Sequence, residues 1–234
     1  MKPFSDIFTD IGGKFITEPQ ILTQKLQQIK AFVFDWDGVF NDGSKNEQGS
    51  SNFNEVDSMG VNLLRFGWWL KNGSIPKTFI ISGEKNGLSF KLAQREHYDA
   101  CYFKILNKIE ALEHFMAQHN LQPHEVAFFF DDVLDLSIAK LCGVRVMVRH
   151  GGNVLFEKYV IDNQYADYIT GSLGGRYAVR EGAELLLGLS DQHNEAITKR
   201  LEYRPHYEEY IGQRQEIKTV FVTLADNKFE AVAV

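Results

Sequence analysis

The sequence is short of three features that would each point to a particular class of protein. It has only two cysteines in 234 residues, Cys101 and Cys142, far apart and in apolar surroundings. This excludes a disulfide framework and indicates a reducing compartment. No apolar run approaches the roughly 20 residues that a transmembrane helix needs. The formal net charge is −6 and no basic cluster offsets it, so we expect no nucleic-acid partner.

A targeting segment is also missing from the pattern. The start, MKPFSDIFTDIGG, has no basic stretch followed by an apolar one, so we expect no signal peptide. The apolar fraction of 44% and the charged fraction of 24% are ordinary for a globular protein. The length suits one sizeable domain with its own core. We therefore expect a soluble cytoplasmic protein that does not bind membranes.

Short apolar runs alternate with amphipathic stretches through the middle of the chain. Four runs have the composition of strands covered on both faces: AFVF (31–34), TFII (78–81), VAFFF (126–130) and VRVMV (144–148). Weaker strand candidates lie at 100–103 and 167–170, and helices are predicted over 57–73, 107–120 and 135–143. Strand–helix alternation of this kind predicts an α/β fold, a Rossmann-like three-layer sandwich with a parallel central sheet.

Two regions do not follow this alternation. Residues 40–56 are polar and rich in turn residues, which predicts a small β-hairpin flap. After Leu189 the chain is charged and partly helical, and 217–234 then alternates like a terminal hairpin that turns at Asp226-Asn227. The predicted organisation is a lead-in segment with a helix (1–30), a main domain with the flap (31–189) and a C-terminal extension (190–234).

Acidic and hydroxyl side chains follow the predicted strands. In chain order the polar residues at these strand ends are Asp35, Asp37, Ser82, Lys108, Asp131, Asp132 and Asp135. Any one acid alone is explained by a strand that leaves the core through polar turn residues. Because ligands bind at the carboxyl ends of strands in open α/β sheets, the whole set favours a shared site.

The residue types in this set predict a particular chemistry. Clustered carboxylates repel each other unless a cation joins them, and Mg²⁺ prefers carboxylates, waters and a phosphate. Attack of a carboxylate on an anionic phosphoryl group needs that charge neutralised, by the metal and by a Lys ammonium. The set therefore matches phosphoryl transfer through an aspartyl-phosphate. The seven histidines show no ligand spacing and have no expected role.

Four segments resemble the four motifs of the haloacid dehalogenase superfamily: DWDGVFNDG (35–43), IISGE (80–84), Lys108 in NKIEAL (107–112) and FDDVLD (130–135). More narrowly, the first segment together with NEVDSMGVNLL (54–64) and GGRYAVRE (174–181) resembles the 3-deoxy-D-manno-octulosonate 8-phosphate phosphatases. This similarity covers about residues 25–188. The resemblance implies a HAD-like fold without a large cap domain, a homotetramer and a place in lipopolysaccharide biosynthesis. The flap and a neighbouring copy would close the site.

The resemblance also implies a role for each matching residue. Asp35 would be the nucleophile, Asp37 the general acid and then the base, and Lys108 the group that balances charge. Mg²⁺ would be bound by Asp35, Asp131 and the backbone carbonyl of Asp37, with Asp132 and Asp135 behind these ligands. The implied substrate-binding residues are Ser82, Gly83, Glu84, Arg176 and Arg180. An Arg could pair with a substrate carboxylate, or the Gly-Gly-Arg segment could simply cap a helix.

Some positions depart from the family pattern. Phe130 and Leu134 replace the usual Gly and Asn of the fourth motif, Val56-Asp57-Ser58 replaces Arg-Asp-Gly, and Glu84 stands where Arg is usual. In having Glu at that place, the chain resembles related phosphatases that act on nine-carbon, sialic-acid-type 9-phosphates. The expected function is a Mg²⁺-dependent phosphatase of an acidic sugar phosphate such as 3-deoxy-D-manno-octulosonate 8-phosphate. A nine-carbon 9-phosphate or another small phosphomonoester is the alternative substrate, and a catalytically weak binding or scaffold protein is the second alternative.

Overall fold

The fold is organised around one mixed sheet. The computed structural model describes residues 3–226 and 228–234. In chain order the strands are β1 (Lys14–Phe15), β2 (Ala31–Asp35), β3 (Lys77–Ile81), β4 (Ala100–Tyr102), β5 (Val126–Phe130), β6 (Val144–Arg149), β7 (Tyr168–Leu173), β8 (Val220–Ala225) and β9 (Lys228–Ala231). They are arranged in the order β1-β7-β6-β5-β2-β3-β4-β8-β9, with only β1 and β9 antiparallel to their neighbours. The predicted α/β fold class is confirmed.

Helices cover both faces of the sheet. They are α1 (Phe4–Asp10), α2 (Pro19–Leu26), α3 (Glu55–Asn72), α4 (Gly87–Arg95), α5 (Lys108–His119), α6 (Leu136–Ala139), α7 (Val154–Asp162), α8 (Ala178–Leu189), α9 (His193–Glu202) and α10 (His206–Gln215). Alternate residues of β2 enter two separate cores, because successive strand side chains point to opposite faces. Phe32 and Phe34 join the core under α3 and α8, and Val33 joins the one under α5 and α6.

The predicted helices are present, with local signals that explain their ends. The side chain of Asn54 accepts a hydrogen bond from the Asp57 N–H at the start of α3, and Gly73 ends that helix at a φ of 69°. Helix α6 is shorter than the predicted 135–143, because a 3₁₀ turn at Val133–Asp135 precedes it and the chain leaves the helix after Ala139.

The predicted hairpin at 40–56 is wrong, because no strand forms there and the segment is a loop that runs into α3. The side chain of Asn46 accepts hydrogen bonds from the N–H groups of Gln48 and Ser50, at 3.0 and 2.9 Å. Such local side-chain bonds compete with a strand ladder, and this polar stretch has no alternating apolar face to bury. We call residues 40–54 the front loop.

The C-terminal extension continues the central sheet. Strand β8 pairs in parallel with β4, and β9 turns back against β8, which confirms the predicted terminal hairpin. The predicted turn of this hairpin was Asp226-Asn227. Asp226 has a φ of 47°, and Asn227 lies outside the described residues. Tyr207 and Tyr210 of α10 pack on Phe66 of α3. The domain boundary at residue 190 stays a prediction, since the extension shares both sheet and core with the main domain.

We find no helix, in the parts of the chain that the structure describes, that is long and apolar enough to span a membrane.

Candidate active site

The predicted strand-end residues meet at one edge of the sheet. Asp35, the last residue of β2, lies opposite Ile81 of β3, and Phe34 lies opposite Phe129 of β5. Ser82 follows β3 and Asp131 follows β5, the two strands that flank β2. Each therefore lies one residue further along its strand direction than Asp35 does on β2. Parallel pairing thus brings residues that are far apart in sequence to a common edge.

A buried ammonium holds two carboxylates at this edge. Lys108, the first residue of α5, places its Nζ 2.6 Å from Asp35 Oδ1 and 2.6 Å from Asp135 Oδ1. The other oxygen of Asp135 accepts the backbone N–H groups of Asp131 and Asp132, at 3.4 and 3.3 Å. Both oxygens of Asp135 are therefore engaged within the protein. Its predicted place behind the metal ligands stays a prediction.

Burial dominates the electrostatics of the cluster. It raises the pKa of Asp35 to about 7, against an ordinary 3.8, with Asp131 adding to the effect and Lys108 opposing it. Burial likewise raises the pKa of Asp135 to about 6 and raises that of Asp131. Burial opposes ionisation of Lys108, but Asp35 and Asp135 outweigh it and the pKa of Lys108 is raised. Two carboxylates, Asp35 and Asp135, thus share one ammonium, and Asp131 adds a third negative charge beside Asp35.

This donor set fits a hard divalent cation. One oxygen from each of Asp35, Asp131 and Asp135 can lie within 4.8 Å of the others. Asp131 Oδ1 is buried and has no hydrogen-bond partner among the described residues. A buried acceptor without a partner is costly, and a cation beside it would remove that cost. Since Asp135 is already engaged, Asp35 and Asp131 are the better placed ligands, and oxygen ligands of this kind suit Mg²⁺.

Asp37 lies at the mouth of the site and outside this cluster of three. Ser51 Oγ donates a hydrogen bond to Asp37 Oδ1, and Lys45 Nζ lies 3.0 Å from Asp37 Oδ2. Both partners belong to the front loop, which therefore folds against Asp37. The contact of the Asp37 carbonyl with a metal stays a prediction.

The turn after β3 carries the next three predicted residues. Ser82 is buried, and its Oγ accepts a hydrogen bond from the Glu84 N–H at 3.2 Å. Gly83 is half-buried and Glu84 is exposed. Ser82 therefore belongs to the floor of the site and Glu84 to its rim. Their contacts with a substrate stay predictions.

The Gly-Gly-Arg segment approaches the site of its own chain. A Cβ on Gly174 would lie 1.9 Å from the carbonyl oxygen of Gly38, and one on Gly175 would lie 2.7 Å from backbone atoms of Asn41. Both positions require glycine, because a side chain at either one would collide with the backbone of the segment from Gly38 to Asp42. Arg176, which follows them, is exposed.

The second arginine of this segment is held by its own helix. Arg180 Nε lies 2.6 Å from Glu184, and the Arg180 N–H donates to Asp57 Oδ1 at 2.8 Å. Asp57 thereby joins the starts of α3 and α8. Arg176 is the freer of the two for a substrate anion, and both roles stay predictions.

A histidine that the sequence did not single out contacts the acidic cluster. His150 Nε2 lies 3.0 Å from Asp131 Oδ2, and the neighbouring carboxylate raises the pKa of His150. Asn153 Nδ2 donates to the Asp131 carbonyl oxygen at 3.4 Å. The available signal was its position, because His150 follows β6, whose carboxyl end lies at the same edge of the sheet.

Comparisons with known proteins point to phosphatases. No protein-family model matches the chain. The chain is 30% identical to a probable YrbI family phosphatase from Pseudomonas syringae pv. phaseolica, with a TM-score of 0.65 over 78% of this chain and 98% of that one. It is 28% identical over 182 residues to the 3-deoxy-D-manno-octulosonate 8-phosphate phosphatase KdsC of Salmonella typhimurium, covering 76% of this chain and 89% of the relative. The Moraxella catarrhalis phosphatase of the same name, solved with magnesium ion, phosphate ion and a KDO molecule, matches at 26% identity and a TM-score of 0.63, over 76% and 97%.

Proposed function

Because the chain belongs to the YrbI family of haloacid dehalogenase phosphatases, we propose that it hydrolyses an acidic sugar phosphate with the help of Mg²⁺. The observation that carries the proposal is the buried cluster, in which Lys108 lies 2.6 Å from both Asp35 and Asp135. Together with Asp131 the cluster carries three negative charges when its acids are ionised, against one positive charge on Lys108 and a second on His150 when it is protonated. A cation and a phosphoryl group are the partners that such a site lacks.

Asp35 is the proposed nucleophile. One of its oxygens forms a bond to phosphorus while the bond between phosphorus and the sugar oxygen breaks, and Asp37 gives its proton to that leaving oxygen. Water then attacks the phosphorus of the aspartyl-phosphate, Asp37 takes the proton, and inorganic phosphate and free Asp35 remain. Asp37 sits at the mouth of the site, beside the leaving sugar in this scheme.

The remaining residues have electrostatic and binding roles in this proposal. Lys108 opposes protonation of Asp35 and balances charge on the phosphoryl oxygens, and the Ser82 hydroxyl donates to one of them. Asp35 and Asp131 would hold Mg²⁺, which supplies charge neutralisation and orientation of the phosphoryl group when bound. The pKa of about 7 for Asp35 in the protein alone makes such neutralisation necessary for attack near neutral pH.

We propose 3-deoxy-D-manno-octulosonate 8-phosphate or a close sugar acid as the substrate. The support is the activity for which the relatives are named, and the exposed Arg176 beside the front loop offers a cation for a substrate carboxylate. The exposed Glu84 at the rim bears on the length of the sugar. A nine-carbon sugar-acid 9-phosphate is therefore the second substrate to test.

We also propose that the protein is a homo-oligomer, with a tetramer as the form to expect. Exposed apolar side chains follow strands that end at the edge of the sheet where the site lies, including Leu106 after β4, at 90% of its full exposure, and Leu155 after β6, at 84%. Val133 and Leu134, between the acids of the fourth motif, are exposed as well. Apolar patches of this kind often mark an interface, and a second copy over the mouth would exclude water. Sedimentation velocity measures the state directly.

Phosphate release from a substrate panel tests the catalytic proposal. The panel holds the eight-carbon and nine-carbon sugar-acid phosphates and simple hexose phosphates, each with Mg²⁺ and with a chelator. We expect Mg²⁺-dependent release that disappears in Asp35→Asn and persists in Asp162→Asn, a change of the same type at an exposed position on α7. Full activity of Asp35→Asn would refute the assignment of the nucleophile. No release from any substrate by a folded, Mg²⁺-binding protein would favour the scaffold alternative.

A further inference from the structure

The two oxygens of the Asp131 carboxylate have different surroundings. Oδ2 lies 3.0 Å from His150 Nε2, as an ion pair in which the imidazole nitrogen makes no hydrogen bond, whereas Oδ1 is buried without a hydrogen-bond partner in the described part of the chain. The carboxylate is therefore occupied on one side and open on the other. Asp131 is one of the three acids that could hold a cation together, and its open oxygen is the one left free to do so.

His150 is fixed close to the loop that carries Asp35 and Asp37. A Cβ on Gly38 would lie 2.0 Å from Asp131 Oδ2 and 3.0 Å from His150 Nε2, so the absence of a side chain at Gly38 leaves the space that the pair occupies. The Arg149 N–H donates to Thr170 Oγ1 at 3.1 Å, which anchors the end of β6 directly before His150. The imidazole thus lies just after the anchored end of β6 and contacts Asp131, which lies just after the end of the neighbouring β5.

The imidazole does not itself belong to the group of candidate ligands. The acids whose oxygens approach one another within 4.8 Å are Asp35, Asp131 and Asp135, and no histidine of the described residues joins them. His150 acts on the site through Asp131. Partners that orient a metal-binding side chain in this way commonly contribute 10–100-fold to metal affinity, as a general order of magnitude.

We propose that His150 is a positioning residue that leaves Asp131 only Oδ1 with which to bind a cation. This inference rests on the proposed function, because it assumes a divalent cation between Asp35 and Asp131. Binding through one oxygen suits Mg²⁺, which demands a compact octahedral shell, whereas Ca²⁺ also accepts both oxygens of a carboxylate. His150 therefore favours Mg²⁺ over Ca²⁺ at this site.

Metal binding without substrate provides the test. Mg²⁺ and Ca²⁺ are titrated separately into the metal-free protein, and each dissociation constant is taken from calorimetry and from the rise in unfolding temperature. The variants are His150→Ala, His150→Gln, which keeps an N–H donor, and His124→Ala, which alters an exposed histidine at the opposite end of β5. Unfolding of each metal-free variant shows whether it is folded.

We expect His150→Ala to bind Mg²⁺ about 10–100-fold more weakly, with a smaller loss for Ca²⁺, so that the preference for Mg²⁺ shrinks. His150→Gln should recover most of the preference, and His124→Ala should match the wild type. Wild-type affinity and an unchanged Mg²⁺/Ca²⁺ ratio in folded His150→Ala would overturn the inference and leave the proposed function intact. No binding of either cation by the wild-type protein would instead overturn the metal site, and this inference with it.

Discussion

Raising the pH from 5 to 7 in the absence of divalent metal should destabilise the folded protein. The physical reason is Asp35, whose pKa is raised by burial to about 7 in the folded protein, against an ordinary 3.8. The folded state therefore holds this proton more tightly than the unfolded state does. The stabilisation is complete below pH 3.8 and is lost as the pH rises toward 7.

The size of the effect follows from the two pKa values. Each pH unit well between them is worth about 1.4 kcal/mol, and the effect levels off as the pH approaches 7, so Asp35 alone should lower the free energy of unfolding by about 2 kcal/mol between pH 5 and pH 7. Asp135, with its pKa raised to about 6, acts in the same direction over the lower half of that range. His114 and His119, whose pKa values burial lowers, act in the opposite direction. A comparison with Asp35→Asn cancels these histidine contributions.

Urea unfolding at 25 °C, with a chelator, measures this difference. The stability of Asp35→Asn relative to the wild type should increase by about 2 kcal/mol from pH 5 to pH 7, because asparagine does not titrate. Saturating Mg²⁺ should restore wild-type stability most strongly at the upper end of the range, since the metal binds the ionised carboxylates. A difference between the two proteins that is flat with pH, or that falls, would refute the assignment of a buried, proton-binding Asp35.

Three further changes probe the surroundings of the cluster. Lys108→Met leaves buried carboxylates without their counter-ion. In urea unfolding it should cost about 3–5 kcal/mol of stability at pH 8 and less at pH 5. An equal cost at both pH values would contradict the electrostatic coupling between Lys108 and the carboxylates. Gly174→Ala places a Cβ 1.9 Å from the Gly38 carbonyl oxygen and should cost about 1–3 kcal/mol and most of the phosphatase activity. Gly212→Ala, which meets no atom within 4 Å, is its control, and equal behaviour of the two would count against the close approach. Ser51→Ala removes a hydrogen bond to Asp37 and should lower kcat about tenfold, with little change in KM, in steady-state assays. An unchanged kcat would show that this hydrogen bond does not contribute to the reaction.

Much of the fold was predictable because its signals are local. Buried parallel strands are continuous apolar runs, and each of the four strong runs became a strand. The site was predictable for the same reason, since a residue that directly follows such a run, as Asp131 follows β5, must lie at the strand's carboxyl end.

The features that were missed depend on contacts between distant segments. The position of β8 beside β4 is set by sheet order, which no local pattern encodes. The front loop lacks an apolar face, so its side-chain hydrogen bonds decided its shape. His150 has no neighbouring histidine or acid at ligand spacing, and its contact with Asp131 exists only because β5 and β6 are adjacent.

The unusual residues of the fourth motif do not favour a scaffold without catalysis. Phe130 is fully buried and stacks with Phe128 in the core, while Leu134 is exposed at the rim, so neither alters the engaged oxygens of Asp135. A binding module would gain nothing from burying three carboxylates beside one ammonium and one histidine, because the charge left uncompensated lowers the stability of the folded chain. Such a cost is characteristic of a site prepared for charged partners. A cation at Asp131 and a phosphoryl group at Asp35 would together satisfy that charge, and they are also what the proposed reaction requires.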